Sequence, residues 1–167
     1  RYRYIIQAEV AGDNLKAADS IPAADVLYGE AVELRKKANI IFPAPIFVSK
    51  KKTQLALNKC NQLITEYPTS DKIDDAAYMA GEIHEFFRDY SIAVLYYKRA
   101  IQWNPYTPYP ARYKAARILD HKLYNRVEAL KLYRESLEKE TSYHTNSEII
   151  RQRISELAPE PNSINIR

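Results

Sequence analysis

The chain has 167 residues, a formal net charge of +4, three glycines and a single cysteine. This length suffices for one domain with a sizeable core, the mild charge permits an anionic partner without demanding one, and a lone Cys60 excludes an internal disulfide. No run of about 18 apolar residues occurs, so no segment is suited to span a membrane as a helix.

Few glycines, abundant Ala, Leu, Lys and Glu, and no alternating strand pattern predict an all-α protein of seven or eight helices. In chain order, residues 2–18 read as a helix with Tyr4, Ile5, Ala8 and Leu15 on one side. Pro22 marks the start of a second helix over about 23–39, since proline is tolerated at a first helical position. Ile40–Val48 is an apolar segment whose Pro43 and Pro45 forbid a helix. A third helix over 49–66 ends at Tyr67-Pro68. Thr69, Ser70 and Asp71 offer N-caps for a helix over 71–87, and Asp89 caps one over 90–103. A three-proline loop, Pro105 to Pro110, precedes a helix over 110–122. Asn125 with Glu128 reads as a capping box for 126–139, and Thr145 to Glu148 as the start of a last helix over 147–157. That helix carries Ile149, Ile150, Ile154 and Leu157 as its expected inner side, which suits a terminal cap. The reading divides the chain into 1–48 (a helical pair with its apolar loop), 49–157 (the main array with its capping helix) and 158–167 (a tail).

An internal repeat organises the array. Ala56, Ala93 and Ala129 lie 37 and 36 residues apart, each followed by an aromatic or small residue four positions on (Cys60, Tyr97, Tyr133) and by a small or apolar pair at seven and eight. Such a period signals a stack of helical units. The copy from Asp74 to Pro105, with Gly81, Ala93, Tyr97, Ala100 and Asn104-Pro105, resembles a tetratricopeptide repeat. The flanking copies resemble it less: the one ending at Pro68 keeps only its second helix, and the one from Tyr109 to Leu137 has Arg117 where the glycine is expected. The resemblance covers about residues 49–140. It implies a right-handed α-α superhelix of antiparallel helices, with Gly81, Ala93, Tyr97 and Ala100 buried at helix crossings. It also implies a concave groove lined by Asp75, Tyr78, Glu82, Glu85 and Phe86, then by Ala111, Lys114, Ile118, His121 and Lys122. Tyr78 and Phe86 are its expected anchors, because interface energy concentrates in central aromatics, with packing against the next helix as their other reading. Ile118 stands where one subclass places an asparagine, so no carboxylate clamp is expected. The linker Glu66 to Asp71 and the stretched period are similar to bacterial cell-envelope repeat proteins, namely the lipoprotein of the outer-membrane β-barrel assembly machine and the periplasmic coordinator of the Tol-Pal type. That similarity implies a periplasmic or envelope location, with the cytoplasm as the alternative. No cysteine precedes Cys60 to carry a lipid, and a chain that opens on Arg1 is expected to have lost a leading segment.

Catalytic motifs are missing from the sequence. There is no phosphate-binding glycine loop, CxxC, HExxH or GxSxG, and His84, His121 and His144 lie far apart. His84 reads as a partly buried, satisfied histidine. The pairs Asp74-Asp75 and Glu138/Glu140 read as helix-end charges explained by the dipole or solvent. No cofactor, metal, nucleic acid or enzymatic activity is expected. The short basic clusters, Arg35 to Lys37 and Lys50 to Lys52, read as solvated faces or a polar rim. What remains is a non-catalytic scaffold or assembly factor that grips a protein through the groove. The apolar loop, through Ile41, Phe42, Ile46 and Phe47, is a second contact, and peripheral membrane association is left open. The alternative is a permanent accessory subunit of a larger complex, enzymatic or envelope.

Overall fold

The computed structural model describes residues 17–38, 49–140 and 147–158, and every regular element among them is a helix. These are α1 (Ala17–Ala38), α2 (Lys50–Glu66), α3 (Ile73–Phe86), α4 (Tyr90–Trp103), α5 (Ala111–His121), α6 (Arg126–Lys139) and α7 (Ser147–Leu157). The all-α expectation holds. The helix expected over 2–18 lies outside the described residues except for its last two, which belong to α1. Pro22 is therefore not the start of a helix; α1 begins five residues earlier and contains it, although proline can donate no hydrogen bond to the Ala18 carbonyl. The loop candidates Ile41, Phe42, Ile46 and Phe47 also lie outside the described residues.

The caps follow local chemistry, with three departures from expectation. Ser49 caps α2 by accepting from the Lys52 amide at 3.4 Å, and Asn125 caps α6 by accepting from the Glu128 amide at 3.2 Å. Glu128 does not return the bond to the Asn125 amide as a capping box would; that N–H goes to the Leu119 carbonyl, and the Glu128 carboxylate meets the Asn125 side chain and Lys98. Asp89 makes no side-chain cap on α4 because its carboxylate faces His84 Nδ1 at 3.4 Å. Ser70 stops α3 from starting at Asp71: its hydroxyl accepts the Lys72 amide at 3.1 Å, and the helix opens at Ile73.

Consecutive helices pack on each other as antiparallel neighbours. In the α3–α4 pair the Asn104 amide donates to Asp74 Oδ2 at 3.0 Å at one end, and His84 meets Asp89 at the other. Between them Gly81 lies under the Tyr97 ring. A Cβ at Gly81 would stand 2.8 Å from two ring carbons, so only glycine admits that ring. Gly81, Ala93, Tyr97 and Ala100 are all buried, as expected. Two apolar clusters form the core, one centred on α1–α3 and one on α3–α7, and Ile64, Tyr96 and Trp103 pack against both. His84 stacks on Tyr96 with ring centroids 5.2 Å apart, the satisfied histidine expected from the sequence. Cys60 is buried in the first cluster, and burial pushes its thiol up to about 12.

The turn from α3 to α4 closes in a Schellman arrangement. The Asp89 amide donates to the His84 carbonyl at 2.9 Å and the Arg88 amide to Glu85 at 3.0 Å, with Arg88 at φ 65°. A residue with a Cβ is strained there, so Arg88→Gly is expected to raise stability by about 0.5–1 kcal/mol, read from the urea midpoint.

α7 closes the array on α6. Ile150, Ile154 and Leu157 form its inner stripe, whereas Ile149, expected there too, points outward and is 60% exposed. A fork of Arg153 holds α7 to α5: Nε and Nη2 donate to the two oxygens of Asp120 at 2.7 and 2.8 Å, and the Asp120 side chain is fully buried. The Arg153 hydrogen bonds hold the Asp120 carboxyl below its ordinary range. The folded-state value thus lies under the unfolded one, about 3.9. The stabilisation is complete above the unfolded value and is lost as pH falls through the folded value. Arg153→Ala is expected to lower the thermal midpoint clearly at pH 7, with a difference that shrinks as pH drops below about 4.

Candidate partner-binding face

α1, α3 and α5 share a face, and a chain of opposite charges crosses it. Glu82 and Glu85 sit three apart on α3, and Lys114 and Arg117 three apart on α5, so each pair projects from one side of its helix. Arg35 of α1 reaches Glu82 Oε2 at 3.5 Å. Lys114 lies 3.7 Å from Glu82 Oε1 and 3.6 Å from Glu85 Oε2, and Arg117 Nη2 donates to Glu85 Oε1 at 2.6 Å. The Tyr97 hydroxyl adds a bond to Glu85 Oε2 at 2.8 Å. Burial alone would raise the Glu85 pKa, but Tyr97, Lys114 and Arg117 outweigh it and hold the carboxyl below its ordinary value. Each partly exposed pair contributes little by itself, under about 1 kcal/mol. Together they fix the relative register of three helices.

The residues expected to line the groove are placed in different ways. Glu82, Glu85 and Lys114 are brought together, joined by Arg35 and Arg117, which the sequence reading did not assign to the face. Phe86 and His121 are open to solvent. Phe86 is 42% exposed with its ring edge-on to Phe87, and the His121 Nε2 lies 3.4 Å from Asp120 Oδ2. Tyr78 and Ile118 are buried, at 8% and 2% exposure, as is Ala111. Tyr78 stacks on Tyr109 at 4.5 Å and tilts against Tyr97 at 5.5 Å, so it packs between helices instead of facing a ligand. Asp75 is half-buried beside Tyr109, whose hydroxyl is 3.5 Å from that of Tyr28; burial is the main cause of its raised pKa.

Beyond Glu85 the face opens into a pocket of about 290 Å³ lined by Glu85, Tyr90, Arg117, Ile118, His121 and Lys122. Lys122 Nζ stands 5.6 Å from the centre of the Tyr90 ring, a cation–π contact that closes one wall. With Glu85 already bonded to Arg117 and Tyr97, this pocket presents cations and an aromatic edge, suited to acidic and aromatic groups. Among the described residues no group of three or more His, Cys, Asp or Glu could hold a metal ion, and no helix is long and apolar enough to cross a membrane. No protein-family model matches the chain, and no curated protein matches it significantly.

Proposed function

We propose that this chain is a tetratricopeptide-like scaffold, a right-handed superhelix whose first-helix face, formed by α1, α3 and α5, holds a segment of a partner protein. The observation that carries the reading is the charge chain Arg35–Glu82–Lys114–Glu85–Arg117, which ties alternate helices side by side. The second helices of the pairs are linked in the same manner: Tyr96 of α4 donates to Asn61 of α2 at 2.7 Å, and Lys98 of α4 pairs with Glu128 of α6. Contacts of this kind, helix to next-but-one helix, are what a stacked array of two-helix units requires. On this reading the partner meets Phe86 and His121 and places acidic or aromatic side chains in the pocket beside Lys122. The scaffold acts by binding and performs no chemistry. The bacterial envelope location implied by the linker resemblance belongs to the same proposal.

The test is a Phe86→Ser, His121→Glu double variant, both positions being exposed. Tagged wild-type chain is expected to retain a discrete partner through purification, and the variant to lose it with an unchanged helical signal. Retention of the same partner by the variant would refute the proposed face.

A further inference from the structure

We infer that a second surface, adjoining the partner-binding face and sharing Phe86 and Lys122 with it, docks on an anionic lipid membrane: the end of the molecule at which α1, α3 and α5 finish and α2, α4 and α6 begin. The antiparallel packing brings these six helix ends to one side. Ser49 donates to the Ala38 carbonyl at 3.1 Å, Lys52 Nζ to the Lys37 carbonyl at 3.3 Å, and Lys122 reaches the Tyr90 ring.

Two kinds of side chain concentrate there. The first is apolar and exposed: Phe86, Ile92, Leu123, Tyr124 and Val127, with Tyr124 at 78% and Val127 at 83%. The second is cationic and exposed: Lys36 and Lys37 at the close of α1, Lys50 to Lys52 at the opening of α2, and Arg88, Lys122 and Arg126 at the following turns. The exposed carboxylates at this end are Glu33, Asp89 and Glu156, the last paired with Arg153, so the eight cations still leave an excess above the +4 of the whole chain. The opposite end is different in sign, exposing Glu66, Asp71 and Glu138 against Lys139. A molecule so polarised is turned by an anionic surface with its basic end foremost.

The mixture favours lipid over protein. Lysine is depleted from the cores of protein interfaces, whereas Lys and Arg around a few aromatic and aliphatic tips are what headgroups and the acyl boundary accept together. None of these apolar side chains lines the pocket beside Lys122, and Phe86 alone of them belongs to the partner-binding face. They stand at helix ends and the turns between them, and Tyr124 is held at φ 55°, a conformation in which glycine would be less strained. Leu123, Tyr124 and Val127 form the inserting tip, flanked by Lys122 and Arg126, whose stems can lie along it while their charges reach phosphates.

The experiment is sedimentation of the full chain with vesicles, either of phosphatidylglycerol and phosphatidylcholine in equal parts or of phosphatidylcholine alone. Binding is expected to the first and not the second, and is expected to fall steeply as salt is raised, because screening shortens the reach of the surface potential. Lys50→Gln, Lys51→Gln and Lys52→Gln together are expected to weaken binding about a hundredfold, at about fivefold for each cation near an anionic surface. Tyr124→Ser with Val127→Ser is expected to weaken it at least about tenfold, since two apolar tips are lost from the acyl boundary. All five positions are exposed, and circular dichroism should stay unchanged. No binding to the anionic vesicles, equal binding to both compositions, or indifference to both variants would overturn the inference. So would capture of a soluble glutamate-rich peptide by the basic end without vesicle binding, which would assign that end to an acidic protein.

Discussion

Glu140→Ala is expected to destabilise the fold by about 3–5 kcal/mol, the cost of breaking a buried ion pair from one side. Glu140 follows α6, yet its carboxylate serves the opening of α5. Oε1 accepts the Arg112 amide at 2.6 Å and Oε2 the Tyr113 amide at 3.1 Å, which places an anion on two of the donors that a helix start leaves without intrahelical partners. The Arg112 guanidinium lies beside it, 2% exposed, with Nη1 at 3.7 Å from Glu140 and Nε at 3.7 Å from Glu135. Its one hydrogen bond to protein runs from Nη2 to the Pro105 carbonyl at 2.9 Å, while Nε and Nη1 are buried without one. Charge compensation therefore carries more of Arg112 than hydrogen bonding does. Alanine at 140 would strand both amides and remove one of two counter-charges. Burial is the largest influence on the Glu140 pKa and raises it, with the amides and Arg112 pulling the other way. A neutral acceptor should then recover part of the loss, and Glu140→Gln is expected to cost roughly half as much as alanine. Urea unfolding of the two variants measures both. Equal stability of wild type and Glu140→Ala would mean that Arg112 needs no partner.

Tyr97→Ala is expected to cost about 3–5 kcal/mol, because a fully buried aromatic leaves a cavity that the α3–α4 crossing cannot close. The more informative result concerns Gly81. Alanine there gains about 1 kcal/mol of helix propensity, yet its Cβ would overlap a ring that is buried on all sides and tethered through its hydroxyl to Glu85. Overpacking is expected to win, leaving Gly81→Ala less stable by about 1–2 kcal/mol net. With Tyr97 already replaced by alanine the obstruction is gone, and Gly81→Ala should become neutral or stabilising. The change of sign across the double-mutant cycle is the expected signature of the contact. Additive effects would show that something other than the ring above it requires glycine at this position.

The helices themselves were legible because their punctuation is local. The expected spans 90–103, 126–139 and 147–157 coincide with α4, α6 and α7, and 49–66 differs from α2 by one residue. Each is bounded by a proline, a capping side chain or the end of an apolar stripe. The small-residue register of α4 was legible for the same reason, since Ala93, Tyr97 and Ala100 recur at helical spacing. Pro22 misled because a permitted first position is not a required one. Asp74 and Glu140 misled because a carboxylate near a helix end usually serves its own helix or solvent. Here Asp74 is buried against Asn104, and Glu140 serves a different helix. The signal for Glu140 was available in α5, where Arg112 and Asp120 occupy the buried stripe with Ala115, Ala116 and Leu119, and a charge on an apolar stripe requires a partner. Of the face, Glu82, Glu85 and Lys114 could be named through the repeat resemblance. The burial of Tyr78 could not, because it depends on Tyr109, thirty-one residues away, whose ring lies flat upon it.

The claim that the α1–α3–α5 face receives a partner is tested most directly by photo-crosslinking in living cells. A photoreactive amino acid is placed at Phe86, at His121 and, as a control, at Lys131, which is 75% exposed on α6. A scaffold that works through this face predicts one discrete crosslinked protein from Phe86 and His121 and none from Lys131. A discrete adduct from Lys131, with Phe86 and His121 silent, would contradict it.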